Sequence, residues 1–309
     1  MGIISRAYIK DFVGRYDKEV GVPYYSHTDF QNFKQEVGEF TNSKGVKIHY
    51  FYYFYPKYRE DKIILFCHGL GPGHAAYIAE IEALARRGYK VLTLDYTGCD
   101  ESGGKYLGSL NTPTRDVLEL LDYLNLNTSV ALMGHSMGGY TALNVINLRK
   151  DITVAVILSG FLSVSSIITS AIKSRFIASG ILRYERKVEP TYFDLHNIEY
   201  LKATDDKLFF IQSEDDAMIP YTISLKVVEE INNHNIKTLK VQNRKHNPNY
   251  TDAATKYMNA VFGKYYNLLK QKKLRTDEEK IAYFKDVSLA KLVEQDEEMF
   301  DQIAEFIDQ

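Results

Sequence analysis

The chain has 309 residues, 38 of them Lys or Arg and 40 Asp or Glu, for a net charge of −2. That balance excludes a general basic field of the kind that selects nucleic acid or an anionic membrane, and no apolar run reaches transmembrane length. The length suits one large domain with an inserted cap, and Cys67 and Cys99 are expected to be free thiols, because a core of this size needs no stapling.

Residues 1–20 mix Arg6, Lys10, Asp11, Arg15, Asp17, Lys18 and Glu19 among apolar residues, so they carry no signal-peptide core and a soluble, cytoplasmic protein is expected. Gln35 to Thr41 and the alternating, then aromatic, run Val46 to Tyr55 flank the turn signal Asn42-Ser43-Lys44-Gly45. They predict an antiparallel hairpin. Its tyrosines accompany no basic stripe, which favours a covered strand over a base-stacking platform. From Lys62 onward, apolar strands alternate with helical patterns: strand Ile63 to Cys67, helix Ala75 to Arg87, strand Val91 to Leu94, and helix Pro113 to Leu124 with Thr112 as its cap. Strand Ser129 to Met133, helix Met137 to Leu148 and strand Ile152 to Leu158 continue the series. Such alternation implies right-handed crossovers and a mostly parallel α/β sheet with helices on both faces.

The alternation stops at Gly160 and resumes with a strand from Lys207 to Gln212. Residues 161–206 between them place Val164, Ile167, Ile168, Ala171 and Ile172 at helical spacing, then Phe176, Ile177, Ile181 and Leu182, then a more charged stretch. An inserted amphipathic helical cap is expected there. Helix Tyr221 to Asn232, strand Thr238 to Gln242 and a long helix Thr251 to Lys270 follow. Residues 271–309 are strongly charged and predict a C-terminal extension of two helices, the first opened by the capping-box pattern Thr276 to Glu279.

Within this frame Gly134-His135-Ser136-Met137-Gly138 follows an apolar strand and opens a helix, the sequence form of a nucleophile elbow. A serine hydroxyl is a weak nucleophile; a tight strand-to-helix turn exposes its oxygen and lets a histidine remove the proton. In this topology the base follows the last strand, so of eight histidines only His234 and His246 come late enough. His234 precedes that strand, whereas His246 lies in the loop after it and is the expected base. The carboxylate that orients the imidazole is expected after the preceding strand, in Ser213-Glu214-Asp215-Asp216-Ala217-Met218-Ile219-Pro220, with Asp216 before the Met-Ile-Pro turn as the candidate. Two backbone N–H groups complete the site as an oxyanion hole, that of Met137 and, in His68-Gly69-Leu70-Gly71, that of Leu70. No metal or cofactor is implied, since His68, His74 and His135 lack ligand spacing and suit loop hydrogen bonding and core packing.

The ordered set of motifs resembles the α/β-hydrolase superfamily, and within it the monoacylglycerol lipase-like and serine aminopeptidase-like hydrolases. His68 to His74 is similar to their oxyanion loop, Asp95 to Gly104 to their loop after the next strand, Gly134 to Gly139 to their elbow and Ser213 to Pro220 to their acid turn. The likeness covers roughly residues 36 to 270. Two departures stand out: Ser213 occupies a position where the family usually has glycine, and Cys99-Asp100 stands where a second glycine is common. The resemblance implies an α/β-hydrolase fold and acyl transfer to water through an acyl-enzyme on Ser136, with a small-molecule substrate and no membrane span. A carboxylic ester with a short to medium acyl chain, or another small hydrophobic substrate, is the first expectation. Peptide or amide cleavage is the second, with Glu185, Glu189 or Asp194 available to recognise an amine. Acyl transfer to an alcohol and a noncatalytic ligand-binding role are the others. No feature sets an oligomeric state.

Overall fold

In the computed structural model, which describes residues 2–309, the β-branched and aromatic runs pair into one sheet of eight strands. They are β1 (Lys34–Thr41), β2 (Lys47–Phe54), β3 (Lys62–Cys67), β4 (Lys90–Leu94), β5 (Ser129–His135), β6 (Val154–Leu158), β7 (Lys207–Ser213) and β8 (Ile236–Val241), in the order β1-β2-β4-β3-β5-β6-β7-β8. β1 and β2 form the expected hairpin, β2 joins β4 antiparallel, and every later pairing is parallel. The inner strands are almost continuously apolar because helices cover both of their faces. This is the α/β-hydrolase architecture expected from the sequence.

On one face lie α1 (Ile3–Asp11), α3 (Thr112–Leu124), α4 (Met137–Leu148), α8 (Leu225–Glu229) and the three helices inserted between β6 and β7: α5 (Val164–Ala171), α6 (Arg175–Val188) and α7 (Asn197–Ala203). On the other lie α2 (Ile78–Ala85) and α12 (Glu297–Asp308). A smaller apolar cluster joins α9 (Asp252–Lys270) to α10 (Asp277–Phe284) and α11 (Leu289–Leu292). No helix among the described residues is long and apolar enough to cross a membrane.

Several boundaries differ from expectation for identifiable reasons. The helix expected over Ala75 to Arg87 begins as a 3-10 turn, Gly73–Tyr77, and becomes α-helical only at Ile78. Thr112 is the first residue of α3 rather than its cap; Asn111 is the N-cap, in helical conformation and without a side-chain capping bond. Its amide oxygen instead accepts from the Tyr140 hydroxyl at 2.8 Å. The helix expected over Tyr221 to Asn232 is divided at Ser224, whose hydroxyl binds the Gly160 carbonyl and whose backbone leaves helical space. Residues 3–11, unassigned from sequence, form a helix that packs Tyr8 and Ile9 into the core.

The C-terminal extension is the largest correction. It comprises three helices rather than two, and although the Thr276 capping box is present, α12 is a core element. Met299, Phe300, Ile303, Phe306 and Ile307 recur at helical spacing and are buried against the sheet. Arg86 to Glu297 at 2.9 Å, Arg87 to Asp301 at 2.7 Å and Arg59 to Asp308 at 2.6 Å fasten its rim.

The inserted helices are tied to the core by buried carboxylates. Glu185 on α6 accepts from the Tyr8 hydroxyl at 2.6 Å, the Ser109 hydroxyl at 2.5 Å and the Leu110 amide at 3.1 Å. Glu189 pairs with Arg115, which also holds Asp116 at 2.9 Å.

Because Phe300 is fully buried at the contact between α12 and the sheet, Phe300→Ala is expected to cost about 3–5 kcal/mol. Urea unfolding followed by circular dichroism measures it; a loss no larger than that of an exposed substitution would show α12 to be a dispensable appendage.

Candidate active site

Ser136 joins β5 to α4 with φ 57° and ψ −120°, a conformation a non-glycine residue adopts only under constraint. Its neighbours explain the constraint. A Cβ at Gly138 would run into the Cys67 carbonyl of β3, and one at Gly134 would run into the Gly138 carbonyl, so both glycines are needed for strand and helix to approach this closely. The Ser136 N–H donates to the Leu158 carbonyl of β6 at 2.8 Å, which anchors the turn to the next strand. The loop after β3 passes beside it: a Cβ at Gly69 would lie 3.3 Å from the Ser136 Cβ. Neither the Leu70 N–H, in that loop, nor the Met137 N–H donates to another group among the described residues.

Parallel topology brings the two later loops to the same edge of the sheet. After β7, the Asp216 carboxylate is fully buried. Its Oδ1 accepts from the Met218 N–H at 2.8 Å and the Ile219 N–H at 3.0 Å, so the Met-Ile-Pro turn fixes its orientation. Its Oδ2 lies 2.8 Å from His246 Nδ1, in the loop after β8. His246 therefore keeps Nε2 free of this partner, and its ring lies 4.7 Å from the ring of His135, the residue before Ser136. His234 is exposed in the turn ahead of β8, and Glu214 is exposed on the rim.

His135 explains how the His246 backbone is held. Its Nε2 lies 2.7 Å from the His246 carbonyl oxygen, which can only accept, so Nε2 carries the proton and Nδ1 accepts from the Tyr77 hydroxyl at 2.9 Å. Burial and the neighbouring His246 push the His135 pKa down to about 3, keeping the ring neutral. His68 is held down to about 4 mainly by burial; it stacks on Tyr96 and touches the Gly69 carbonyl. His74 binds Asp95 at 2.8 Å and so ties the loop after β3 to the loop after β4. No group of three or more His, Cys, Asp or Glu among the described residues could hold a metal ion.

Two residues unassigned from sequence brace the loops. Ser213, the departure from glycine, donates to Asp215 at 2.6 Å and accepts from the Arg244 N–H at 3.1 Å, while Asp215 also binds the Lys245 ammonium at 2.9 Å. The hydroxyl and its neighbouring acid thus stitch the acid turn to the histidine loop. Arg244 extends the brace to Asp252 at 2.6 Å and to Asp296 of the C-terminal extension at 3.0 Å. The extension also pairs its backbone with this loop through the Asp296 N–H and the Asn249 carbonyl at 2.8 Å. Behind them, Glu80 on α2 is buried and accepts from Asn249 at 3.3 Å, and burial pushes its pKa up to about 7.

A mostly apolar cavity of about 370 Å³ borders Leu70, Gly71 and Pro72. Its walls come from Tyr24 of the N-terminal arm, from Tyr250, Phe262 and Tyr266, and from Val293 of the extension, not from the inserted helices.

A family model described as serine aminopeptidase, S33, matches residues 58–249. An epoxide hydrolase of Caballeronia sordidicola is 34% identical over 91 residues, covering 28% of this chain and 27% of that protein, so the chain spans about a quarter of the length of this curated relative. An esterase of Pyrococcus furiosus, 20% identical, superposes with a TM-score of 0.58 over 87% of this chain and 98% of its own. Butyrivibrio proteoclasticus Est1E, solved with ferulic acid bound and also 20% identical, superposes with a TM-score of 0.54 over 67% of this chain and 90% of its own. These likenesses establish the α/β-hydrolase fold.

The buried Glu80 sets a pH dependence of stability. With its folded pKa raised from 4.5 to about 7, the folded chain binds more protons than the unfolded chain between those values, so this group's contribution to stability falls as pH rises through the window. Glu80→Gln is expected to gain on the order of 2–3 kcal/mol over wild type at pH 8 and almost nothing at pH 4.5. Urea unfolding at both pH values checks this, and an equal effect at both would sink the assignment to Glu80 ionisation.

Proposed function

Since the chain belongs to the serine aminopeptidase S33 family, we propose that it is a serine hydrolase cleaving a carboxylic ester with a short to medium acyl chain, or another small hydrophobic substrate. The observation that carries this reading is the 2.8 Å bond between Asp216 and His246 at the edge of the sheet where Ser136 is held at φ 57°. In this mechanism Ser136 Oγ attacks the ester carbonyl while His246 Nε2 takes its proton. Asp216 holds the opposite nitrogen and stabilises the imidazolium. The oxyanion that forms is received by the Leu70 and Met137 N–H groups; each such donor is worth about 3 kcal/mol to the transition state. His246 then protonates the leaving alcohol, and water, activated by the same histidine, releases the acid from Ser136.

The cavity beside Leu70 falls within the size range of small-molecule sites, about 300–1,000 Å³, and its aromatic walls suit an acyl chain. An amine-recognising peptidase is less well served. Glu185 is taken up by Tyr8 and Ser109, and Glu189 by Arg115, so neither is free to bind an ammonium group; of the three candidate acids Asp194 alone keeps an oxygen without a partner, its other oxygen accepting from the Ser165 hydroxyl at 2.6 Å.

Hydrolysis of a p-nitrophenyl ester series from acetate to laurate, with fluorophosphonate labelling in parallel, tests the reading. Wild type is expected to label and to turn over esters with a chain-length optimum. Ser136→Ala should lose labelling and about 10⁶ in kcat, His246→Ala a comparable amount, and His234→Ala almost nothing. Folded wild type that never labels would remove the serine mechanism, and faster turnover of aminoacyl amides than of esters would move the substrate class to peptides.

A further inference from the structure

The near-neutral net charge conceals a segregated surface on the inserted helices. Lys173, Arg175, Arg183 and Arg186 line a groove of about 820 Å³ between α5 and α6, together with the hydroxyls of Thr169 and Ser179. All four cations are exposed. Among the described residues the ion pair of this region runs inward, from Arg115 to Glu189, and leaves these four without a carboxylate partner; Arg186 alone is engaged otherwise, over the Phe193 ring at 4.8 Å. Ile172 joins the groove to an apolar pocket between α6 and α1, where Ile3, Phe12 and Ile177 are exposed and Asp11 is the bordering acid. Phe176, beside Ile177 at the start of α6, is 80% exposed.

We propose that this face docks on an anionic lipid bilayer, with the four cations meeting lipid phosphates and Phe176, Ile177 and Ile3 entering the headgroup boundary. The combination decides the occupant. Exposed aromatic and aliphatic side chains beside unpaired cations match an interface that is anionic outside and apolar beneath. A second copy of the chain would oppose one cationic groove to another, and a soluble anion would leave the apolar side chains in water. Docking here is independent of the chemistry at Ser136.

The test is flotation of the full chain with phosphatidylcholine vesicles, with and without about a quarter phosphatidylglycerol, at low and high salt. Wild type is expected to bind the anionic vesicles at least about tenfold more tightly, with the preference lost in high salt. Each cation near the surface contributes about fivefold, so the double variant Arg175→Glu, Arg183→Glu should erase the preference. Phe176→Ser, which removes the apolar side chain without adding charge, should weaken binding severalfold without changing the salt dependence. Both variants alter exposed side chains, and circular dichroism confirms that they fold. Ser136→Ala should bind as wild type does, so failure of the hydrolase reading leaves this one standing. Equal or absent binding of wild type to the two vesicle types, or undiminished binding by the double variant, overturns the proposal. So does a dimer that Phe176→Ser dissolves, which would assign the face to self-association.

Discussion

Contact between two backbones organises this molecule. The carbonyl of Cys67 at the end of β3 approaches residue 138 so closely that only glycine fits, and the same turn bends Ser136 to φ 57°. A residue held in such a region costs of order 1–3 kcal/mol, and it persists only where its surroundings over-determine it. Here the surroundings are β3, β5 and β6. The first supplies the carbonyl against Gly138, the second ends in the serine, and the third accepts the Ser136 N–H through Leu158. The Leu70 loop emerges from β3 and the Met137 amide from α4, so both N–H groups inherit their positions from the packing that strains the serine.

Asp216 and His246, the proposed acid and base, are held by different means. Strand ends bring Asp216 and His246 to the same edge, but their loops would be free to drift without the braces that cross between them. Ser213 and Asp215 join the two loops directly, His135 grips the His246 carbonyl, and Arg244 fastens the histidine loop to Asp296. The last of these makes the C-terminal extension part of the site's support. It lies outside the segment that matches the family model, yet it also walls the cavity beside Leu70. The common fold carries Ser136, Asp216 and His246; the peculiar ends of this chain shape what surrounds them.

What was legible in the sequence follows from range. The strands, α4 and the elbow depend on local patterns, an apolar run or a glycine pair around a serine, and the residues that bear them are adjacent. The meeting of Asp216 with His246 was legible because chain order in a parallel sheet converts sequence position into a place along one edge. The role of Ser213 was not, because its hydroxyl works across to Arg244, which only pairing of β7 with β8 brings near. The break at Ser224 has the same cause, a bond to Gly160 from a distant strand end. α12 was hidden by composition: its acids Glu297, Glu298, Asp301 and Glu305 mask a buried stripe that is apolar at every inward position. The 3-10 opening at Gly73–Tyr77 escaped because a helical pattern of apolar residues does not distinguish the two kinds of turn.

Segregation of charge has the same origin as the anchoring of the inserted helices. α6 and its cap carry both signs, but Glu185 and Glu189 turn inward to Tyr8, Ser109 and Arg115, while Arg175, Arg183, Arg186 and Lys187 turn outward. A buried carboxylate is tolerated when hydrogen bonds or a counter-charge satisfy it, and burial raises the pKa of both acids. The basic side chains of α6 have no such buried partner and stay exposed, with their charges in water. Fixing the helix by its acids therefore exposes a surface of the opposite sign. Net charge, which sums the two, registers neither the anchor nor the face it leaves behind.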